Sequence, residues 1–429
     1  MKLMNLKGTF DFLPKDQVVR NKIINTLRTN FEKYGYLPLE TPILNYYDLL
    51  AYKYEDDAEI LSEIYKLKDQ GDRNLGLRYD LTVPFCKVIG LNKDLRLPFR
   101  RYEIGKVFRN GPVKLGRTRE FYQCDVDVVG IDNRMIEAEQ IYMAINTYKE
   151  LGIDVLVKYN NRKLMSGLII ESGIEEEKVN SVIGVIDKLE KISREELIEN
   201  LEKLGLENNV IEKLLKLFNY SFLDYVNMFS NTSNTYIKEG IDELLELNKY
   251  LEELNILDSC VFSATLARGL TIYTGVVFEF YDKKLRLTCA LGAGGRYNKI
   301  ITDFMDNGTI YPAIGFSFGL EPIYTILKNE DTKNSLIDIY LVPLDTNIET
   351  LKLATALREN GFKVLVEMNK KKVGKCFEYA EHENIKFISI IGSNEIENQI
   401  IRVKNMLTKE ESELKIDDLC NFLKNSVDK

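Results

Sequence analysis

Histidine is nearly missing from this sequence of 429 residues, and tryptophan is missing altogether. The single histidine, His382, stands in a segment rich in lysine and glutamate near the C-terminal end. Serine-histidine-acid triads, zinc sites of the HExxH type and histidine proton relays all need histidine side chains. If the protein is an enzyme, we therefore expect its chemistry to depend on carboxylates and arginines.

Paired cysteines and long apolar runs are missing as well. The six cysteines contain no CxxC pair, so neither a disulfide framework nor a thiolate zinc site is indicated, and we expect buried, reduced thiols. They are Cys86, Cys124, Cys260, Cys289, Cys376 and Cys420. No apolar run approaches the roughly 20 residues of a membrane span, and the first residues have no signal-peptide core. We expect a cytoplasmic protein that makes no membrane contact.

Proline is missing from residues 113–311, which permits long helices there. From about Asn161 to Leu257, leucine, isoleucine, glutamate and lysine dominate, and apolar residues recur at intervals of three and four. Turns are expected at Gly173, at Gly205 and at the stretch that begins with Asn231. Acidic residues outnumber basic ones in this segment, which favours an inserted helical unit with a surface of its own.

Strand-forming residues flank the helical segment, so we expect one sheet that the insertion interrupts. The strand candidates are FRRYEIGKVF, EFYQCDVDVVG, ARGLTIYTGVVFEFY and AIGFSFG. After a polar linker at residues 328–335, strands and helices alternate. This alternation predicts a small C-terminal α/β domain with a mainly parallel sheet.

Residues 96–119 contain eight basic side chains and one acid, Glu103. The bias could reflect a solvated strand and loop. However, the segment runs from a strand through the glycine-containing loop GPVKLGRTR into a second strand with Asp125 and Asp127. A hairpin of this form offers several guanidinium groups to phosphate oxygens, which they match with two hydrogen bonds each. The hairpin is therefore a candidate anion site.

Seven segments then stand in a characteristic order along the chain. They are GTFDFLP, YGYLPLETPIL (34–44), LRYDLTVPF (77–85), FRNGPVKLGRTREFYQCDVDVVG (108–130), LARGLTIYTGVVFEF, GAGGRYNKI and AIGFSFGLE. In this order they resemble the class II aminoacyl-tRNA synthetases, and among these the histidyl-tRNA synthetase family. Residues 336–429 are similar to the C-terminal anticodon-binding domain of that family.

The resemblance implies a fold and a set of domains. The fold is α/β, with an α+β catalytic core whose antiparallel sheet is flanked by helices. The core comprises residues 1–160 and 258–327, the helical insertion residues 161–257 and the α/β anticodon-binding domain residues 336–429. The segment around residues 34–44 resembles motif 1 and implies a homodimer.

The resemblance also implies an activity, the ligation of histidine to tRNA(His) with ATP and Mg²⁺. The carboxylate of histidine attacks the α-phosphate of ATP and arrives already ionised, so no general base is needed. The site has to align two anions and spread the charge of the transition state over cations.

Site residues follow from the same resemblance. Arg109 and Arg268 correspond to the catalytic cations, and ATP binding is assigned to Arg109, Arg117, Arg119 and Arg268. Histidine binding is assigned to Asp80, Leu81, Thr82, Arg109, Gln123, Asp127, Arg268, Ile272 and Tyr273. Within that set, Asp127 and Tyr273 are expected to bind the imidazole, which donates from one ring nitrogen and accepts at the other. No metal ligands are assigned.

Three departures from the family pattern concern Pro322, Gly111 and the pair Thr271 and Ile272. Pro322 replaces the arginine at motif 3, Gly111 replaces an acid that many members carry after the motif 2 arginine, and RGLTIY replaces RGLDYY. Two alternatives therefore stay open: a catalytically inactive regulatory subunit of ATP phosphoribosyltransferase, and a binding module with an empty ATP site. The retained Arg268 and the C-terminal domain favour the synthetase. With Pro322 in place, Arg117 or Arg119 is expected to hold the γ-phosphate.

Overall fold

The computed structural model describes residues 3–52, 58–113, 117–189, 192–268, 272–305, 307–328, 335–369 and 371–427. Thr271 and most of the polar linker lie outside these residues. The chain divides into two compact units, Met1–Leu327 and Lys328–Lys429. Within the described residues, no helix is both long enough and apolar enough to span a bilayer.

The first unit is built on an eight-stranded sheet with the strand order β1-β5-β6-β11-β10-β9-β7-β8, and β2, β4 and β3 form a small second sheet. The strands are β1 Leu37–Pro38, β2 Leu44–Tyr46, β3 Lys66–Lys68, β4 Asn74–Leu77, β5 Phe99–Phe108, β6 Glu120–Val129, β7 Val155–Asn161, β8 Cys260–Phe262, β9 Val276–Asp282, β10 Gly292–Arg296 and β11 Ala313–Gly319. The central strands pair antiparallel, and only the edge pairs β1–β5 and β7–β8 are parallel among those described. The predicted antiparallel sheet flanked by helices is confirmed.

Helices precede, interrupt and follow these strands. They are α1 Pro14–Lys33, α2 Tyr47–Tyr52, α3 Ala58–Glu63, α4 Thr82–Leu91, α5 Met135–Glu150, α6 Arg162–Glu171, α7 Val179–Ile186, α8 Arg194–Lys203, α9 Asn208–Leu217, α10 Phe222–Met228, α11 Thr235–Glu253, α12 Asn298–Met305 and α13 Leu320–Leu327. The described residues also contain short 3-10 helices at Glu176–Lys178, at Leu257–Ser259 and, in the second unit, at Ile416–Asp418.

The two faces of β6 show why the sequence folds in this way. Cys124, Val126 and Val128 point to one face and join the hydrophobic core that α1 and α5 complete. The alternating residues Gln123 and Asp127 point to the other face, because successive side chains of a strand leave on opposite sides. The hairpin of β5 and β6 is the one predicted from the sequence, with Phe99–Phe108 paired against Glu120–Val129.

Helices α6 to α11 fill the segment that was predicted to be helical. Gly173 follows α6 with φ +103° and Gly205 follows α8 with φ +78°, a left-handed conformation that glycine adopts without a Cβ penalty. Both predicted turns are thereby confirmed. Asn234 in the third predicted turn region caps α11 by accepting the N–H of Ile237. The assignment of residues 161–257 to a separate insertion domain stays a prediction, since these helices and the sheet belong to one compact unit.

The second unit contains a five-stranded sheet with the order β13-β12-β14-β15-β16. Its elements are β12 Ile339–Pro343, α14 Asn347–Glu359, β13 Val364–Val366, α15 Val373–His382, β14 Phe387–Ile391, α16 Ser393–Glu397, β15 Ile400–Asn405, β16 Glu411–Lys415 and α17 Leu419–Val427. Strand β12 pairs parallel with β13 and β14, but β14–β15 and β15–β16 are antiparallel. The predicted mainly parallel sheet is therefore wrong for half of the strand pairs, because a hairpin extends it on one side.

All six cysteines are free thiols, as expected. Four are buried and Cys420 is partly buried. Cys289 is exposed, so the expectation of burial is wrong for this residue, which precedes β10 in an irregular segment. His382 ends α15 with an exposed ring beside Glu383.

Candidate active site

A cavity of about 590 Å³ lies on the sheet face that carries the polar residues of β6. Most of the residues predicted to bind histidine line it: Asp80, Thr82, Arg109, Gln123, Asp127, Arg268, Ile272 and Tyr273. Leu81 is fully buried and is not among the lining residues; its carbonyl accepts a hydrogen bond from Arg101. Segments far apart in the sequence thus meet over the centre of the sheet.

A second cavity of about 490 Å³ adjoins the first. The two share five lining residues, which therefore mark the junction: Arg109, Gln123, Arg268, Ala293 and Ser317. The second cavity also contains Arg117, Glu321 and Pro322. Pro322 thus stands at the wall of this cavity, where the family pattern has an arginine.

Arg109 is held between two aromatic rings. Its guanidinium carbon lies 4.2 Å from the ring centre of Tyr79 and 4.9 Å from that of Phe121. Its Nε donates to the Tyr79 carbonyl at 3.3 Å. Because cation–π contacts and this hydrogen bond fix the guanidinium plane, the charge of Arg109 is oriented before any ligand binds.

Arg268 lies in an irregular segment before β9, so the expectation that it stands within a strand is wrong. Arg268 lines both cavities and so stands at their junction. Nη1 lies 3.6 Å from Glu279 Oε1, a loose ion pair, and Nη1 has no hydrogen-bond partner among the described residues. The guanidinium carbon is 5.3 Å from the Tyr273 ring centre. A half-buried guanidinium whose buried Nη1 has an unused donor is suited to an anionic ligand.

The other two predicted phosphate ligands differ in position. Arg117 lines the second cavity and forms an ion pair of 2.6 Å with Glu63. Arg119 lines neither cavity; its N–H donates to the Gly8 carbonyl, and its carbonyl accepts from the N–H of Arg109. Arg117 is therefore better placed than Arg119 to bind a phosphate group in the second cavity.

Glu63, at the end of α3, is a site residue that the sequence did not reveal. Its carboxylate accepts hydrogen bonds from the Tyr79 hydroxyl at 3.0 Å and from Arg117. Burial, with Glu63 nearby, raises the pKa of Tyr79 to about 12, so the phenol stays protonated and donates. The carboxylate also fills the space next to Gly111 that a side chain there would need.

Asp127 lines the first cavity and is engaged by two other side chains. Its Oδ2 lies 2.8 Å from Arg101 Nη2, and its Oδ1 accepts a short hydrogen bond from the Tyr297 hydroxyl. Gly315 lies directly opposite on β11, and any side chain there would collide with the Asp127 carboxylate. Arg101 and Tyr297, both buried, were not recognised from the sequence, although Tyr297 belongs to the quoted motif GAGGRYNKI.

Asp125 lies between Gln123 and Asp127 on β6 and also lines the first cavity. Burial, opposed by Arg101, raises the pKa of its carboxyl to about 7. Alternation with Asp127 could have identified it, since residues two apart on a strand share a face. Helix α7 adds further lining residues that were not predicted: Ser181, Gly184 and Val185, followed by Asp187 and Lys188.

Carboxylates and other metal-binding side chains do not form a preformed metal site in the described part of the chain. Glu321 supplies a carboxylate to the second cavity, but it is already bound by Arg20 at 3.0 Å. Among residues 3–427, apart from the gaps given above, the side chains therefore do not fit a metal ion held by protein ligands alone.

Comparisons with known proteins agree with this arrangement. Residues 8–323 match the histidyl-tRNA synthetase family, and residues 338–426 match the anticodon-binding domain. A protein of Bacillus cereus named histidine–tRNA ligase 1 is 44% identical over 97% of this chain and 95% of its own length.

Two solved structures extend the comparison. The histidyl-tRNA synthetase from Nostoc sp. is 27% identical, with a TM-score of 0.84 over 99% of this chain and 100% of its own. A protein from Bacillus halodurans, described as an ATP phosphoribosyltransferase regulatory subunit/histidyl-tRNA synthetase, is 22% identical with a TM-score of 0.76. It covers 91% of this chain and 97% of its own, and at that identity it shows the fold alone. On the family match and the Bacillus cereus relative, the chain belongs to the histidyl-tRNA synthetase family.

Proposed function

We propose that the protein is a histidine–tRNA ligase, which activates histidine with ATP and transfers it to tRNA(His). One observation carries the proposal: two adjoining cavities share Arg109 and Arg268 at their junction. One cavity is lined with carboxylates suited to an amino acid, and the other holds the guanidinium of Arg117 for a polyphosphate. The family match supports the same substrates.

Histidine would lie in the first cavity with its carboxylate at the junction. Asp80, Thr82 and Gln123 are placed for the α-amino group; Gln123 has a buried Oε1 without a hydrogen-bond partner among the described residues. Asp127 and Tyr273, which line the same cavity, would contact the imidazole. ATP would occupy the second cavity, with its α-phosphate at the junction.

The chemical step is an in-line displacement at the α-phosphorus. A histidine carboxylate oxygen forms the new bond to phosphorus, the bond to the bridging oxygen breaks, and pyrophosphate leaves. Arg109 and Arg268 flank the reacting phosphate and stabilise the charge of the transition state. Arg117, aligned by Glu63, is placed for the leaving phosphates. Mg²⁺ stays a prediction, and no step is derived through it.

Further elements of the proposal concern tRNA, assembly and location. We assign the anticodon to residues 336–429, supported by the family match of residues 338–426. The homodimer through the region Tyr34–Leu44 is supported by the exposed apolar side chains of Leu37, Ile43 and Leu44. The cytoplasmic location stays a prediction.

ATP–pyrophosphate exchange with each of the twenty amino acids tests the activity. Histidine alone should support exchange. Wild-type protein that binds histidine but exchanges no pyrophosphate would contradict the proposal and favour the regulatory subunit of ATP phosphoribosyltransferase.

Removing residues 336–429 tests the assignment of tRNA binding. Because the residues that line both cavities belong to the first compact unit, exchange should persist while charging of tRNA falls. Full charging by the shortened protein would contradict the assignment.

A further inference from the structure

Glu279 on β9 lies next to Arg268 but outside both cavities. Its Oε1 is 3.6 Å from Arg268 Nη1, and the two side chains are 18% and 22% exposed. Asp187, directly after α7, also acts on Arg268, but it lines the first cavity. Glu279 is therefore placed to influence the reaction through Arg268, without touching a substrate.

Strand pairing directs Glu279 to the face of the sheet that carries the cavities. Glu279 lies opposite Ala293 on β10, and Ala293 lies opposite Ser317 on β11. Opposite residues of paired strands point to the same face, and Ala293 and Ser317 line both cavities. Phe278 and Phe280 point to the other face and join the core. The carboxylate of Glu279 thus stands on a rigid element one strand, about 5 Å, from the cavity junction.

Tyr281 holds the second oxygen of this carboxylate. Its hydroxyl donates to Glu279 Oε2 at 2.5 Å. Lys158, opposite Glu279 on β7, places its Nζ 4.8 Å from the centre of the Tyr281 ring. Because the hydroxyl occupies Oε2, the other oxygen, Oε1, is the one directed at Arg268.

The loose contact between Glu279 and Arg268 suits a cation that has to bind a phosphate. At 3.6 Å the carboxylate attracts the guanidinium, but Nη1 keeps its donor for a phosphate oxygen. Fixing a long arginine side chain costs conformational entropy. A carboxylate that holds the guanidinium in place before ATP binds removes this cost from the chemical step.

We propose that Glu279 is a positioning residue, which holds the Arg268 guanidinium at the junction of the cavities, and that Tyr281 orients the Glu279 carboxylate for this task. The effect falls on turnover, because Arg268 acts on the transition state. This inference rests on the proposed function, since it takes Arg268 as a cation beside the reacting phosphate.

The first test measures pyrophosphate exchange in single variants. Glu279→Gln should lower turnover about tenfold to a hundredfold, the loss typical of a misplaced catalytic group, and leave the KM for histidine and for ATP nearly unchanged. Tyr281→Phe should lower turnover about threefold to tenfold, the usual loss for one hydrogen bond. The control is Tyr159→Phe, because the Tyr159 hydroxyl donates to Asn248 at 2.7 Å and its ring lies in the core on the opposite face of the sheet. This control should exchange like the wild type.

The double variant Glu279→Gln with Arg268→Ala separates positioning from general support of the fold. Once Arg268 is removed, Glu279→Gln should change turnover by no more than about twofold. A structural role would lower turnover by the same factor with and without Arg268. Equal factors in the two backgrounds would overturn the inference, as would wild-type turnover in Glu279→Gln or a rise in KM alone.

A second measurement is independent of catalysis. Crystal structures of the wild type and of Glu279→Gln, both without ATP, show the position of the Arg268 guanidinium directly. The guanidinium should be ordered beside Glu279 in the wild type, and displaced or without electron density in the variant. An ordered guanidinium at the same position in both proteins would overturn the inference. Exchange by the wild type with histidine supports the proposed function whatever the variants show.

Discussion

The two compact units hold their charged residues differently. In the first unit, many charged side chains are buried; those at 5% exposure or less are Arg20, Glu63, Arg78, Asp80, Arg101, Glu103, Asp125, Asp127, Arg134, Glu137, Asp282 and Arg296. In the described part of the second unit, Glu367 is the charged residue that is buried. Ion pairs of the second unit such as Arg402 with Glu413 and Lys404 with Glu411 lie at the surface.

The difference fits two tasks. Buried charges are costly, and a protein that keeps them in fixed positions can direct them at a reacting group. Exposed charges contribute little to stability but remain available to a large polyanion such as RNA. Substitutions in the first unit should therefore change stability and chemistry, and those in the second unit should change binding.

The largest effect is expected for Arg101→Ala. The variant leaves the Asp127 carboxylate buried without its cation, which typically lowers the free energy of unfolding by about 3–5 kcal/mol. Urea denaturation measures the loss. The control is Arg402→Ala, whose exposed partner returns to water, so its unfolding midpoint should hardly change. Similar losses in both variants would remove the contrast between the units.

The second prediction concerns Arg268→Ala. If the guanidinium acts on the transition state, turnover in pyrophosphate exchange should fall about 100- to 1000-fold, with little change in the KM for histidine or ATP. The control is Arg194→Ala, because Arg194 is paired with Glu212 at the surface of the same unit and lines neither cavity. A rise in KM without loss of turnover would make Arg268 a ground-state ligand.

A smaller effect is expected for Glu63→Ala. Without the carboxylate, Tyr79 and Arg117 lose a partner, and Arg117 is no longer directed into the second cavity. The KM for ATP should rise about tenfold, in line with the loss of a buried hydrogen bond, while the KM for histidine stays nearly constant. Glu120→Ala is the control, because Glu120 lies on the hairpin that carries Arg117 and is paired with Lys106. If the KM for ATP and the KM for histidine rise equally, Glu63 supports the whole site and not the nucleotide end in particular.

The smallest effect is expected at the start of α15. Lys371 is paired with Glu367 at 3.0 Å and Lys375 with Glu378 at 2.6 Å, while Lys372 is exposed. Lys372→Ala should weaken tRNA binding a few-fold and make the slope of log affinity against log salt shallower by about one. Lys375→Ala should change the slope less. The slopes are measured by tRNA-binding assays over a series of salt concentrations. Unchanged slopes in both variants would show that the tRNA does not contact the start of α15. The lysine that precedes these three, Lys370, lies outside the described residues.

The sequence predicted those features that depend on local pattern. The strand alternation of β5 and β6, the helix periodicity after Asn161 and the turns at Gly173 and Gly205 are set by neighbouring residues. The edge strand β16, with the sequence ESELK, was missed because both its faces carry polar residues and no hydrophobic alternation marks it.

Contacts between residues far apart in the sequence could not be predicted, for a physical reason. Glu63 meets Arg117 across 54 positions, and Tyr297 meets Asp127 across 170. No spacing rule connects residues that only the completed sheet brings together. The motif resemblance placed Arg109 and Arg268 among the candidates, whereas the contact of Arg101 with Asp127 depended on the pairing of β5 with β6.

Gly111 and Glu63 illustrate how such a contact constrains later change. The acid that many family members carry after the motif 2 arginine could not be introduced here by Gly111→Glu alone, since the new side chain would enter the space of the Glu63 carboxylate. Shortening Glu63 first would release Arg117 and Tyr79. The two positions are therefore epistatic: each single replacement should be harmful, and an evolutionary path between the two arrangements has to change both residues nearly together.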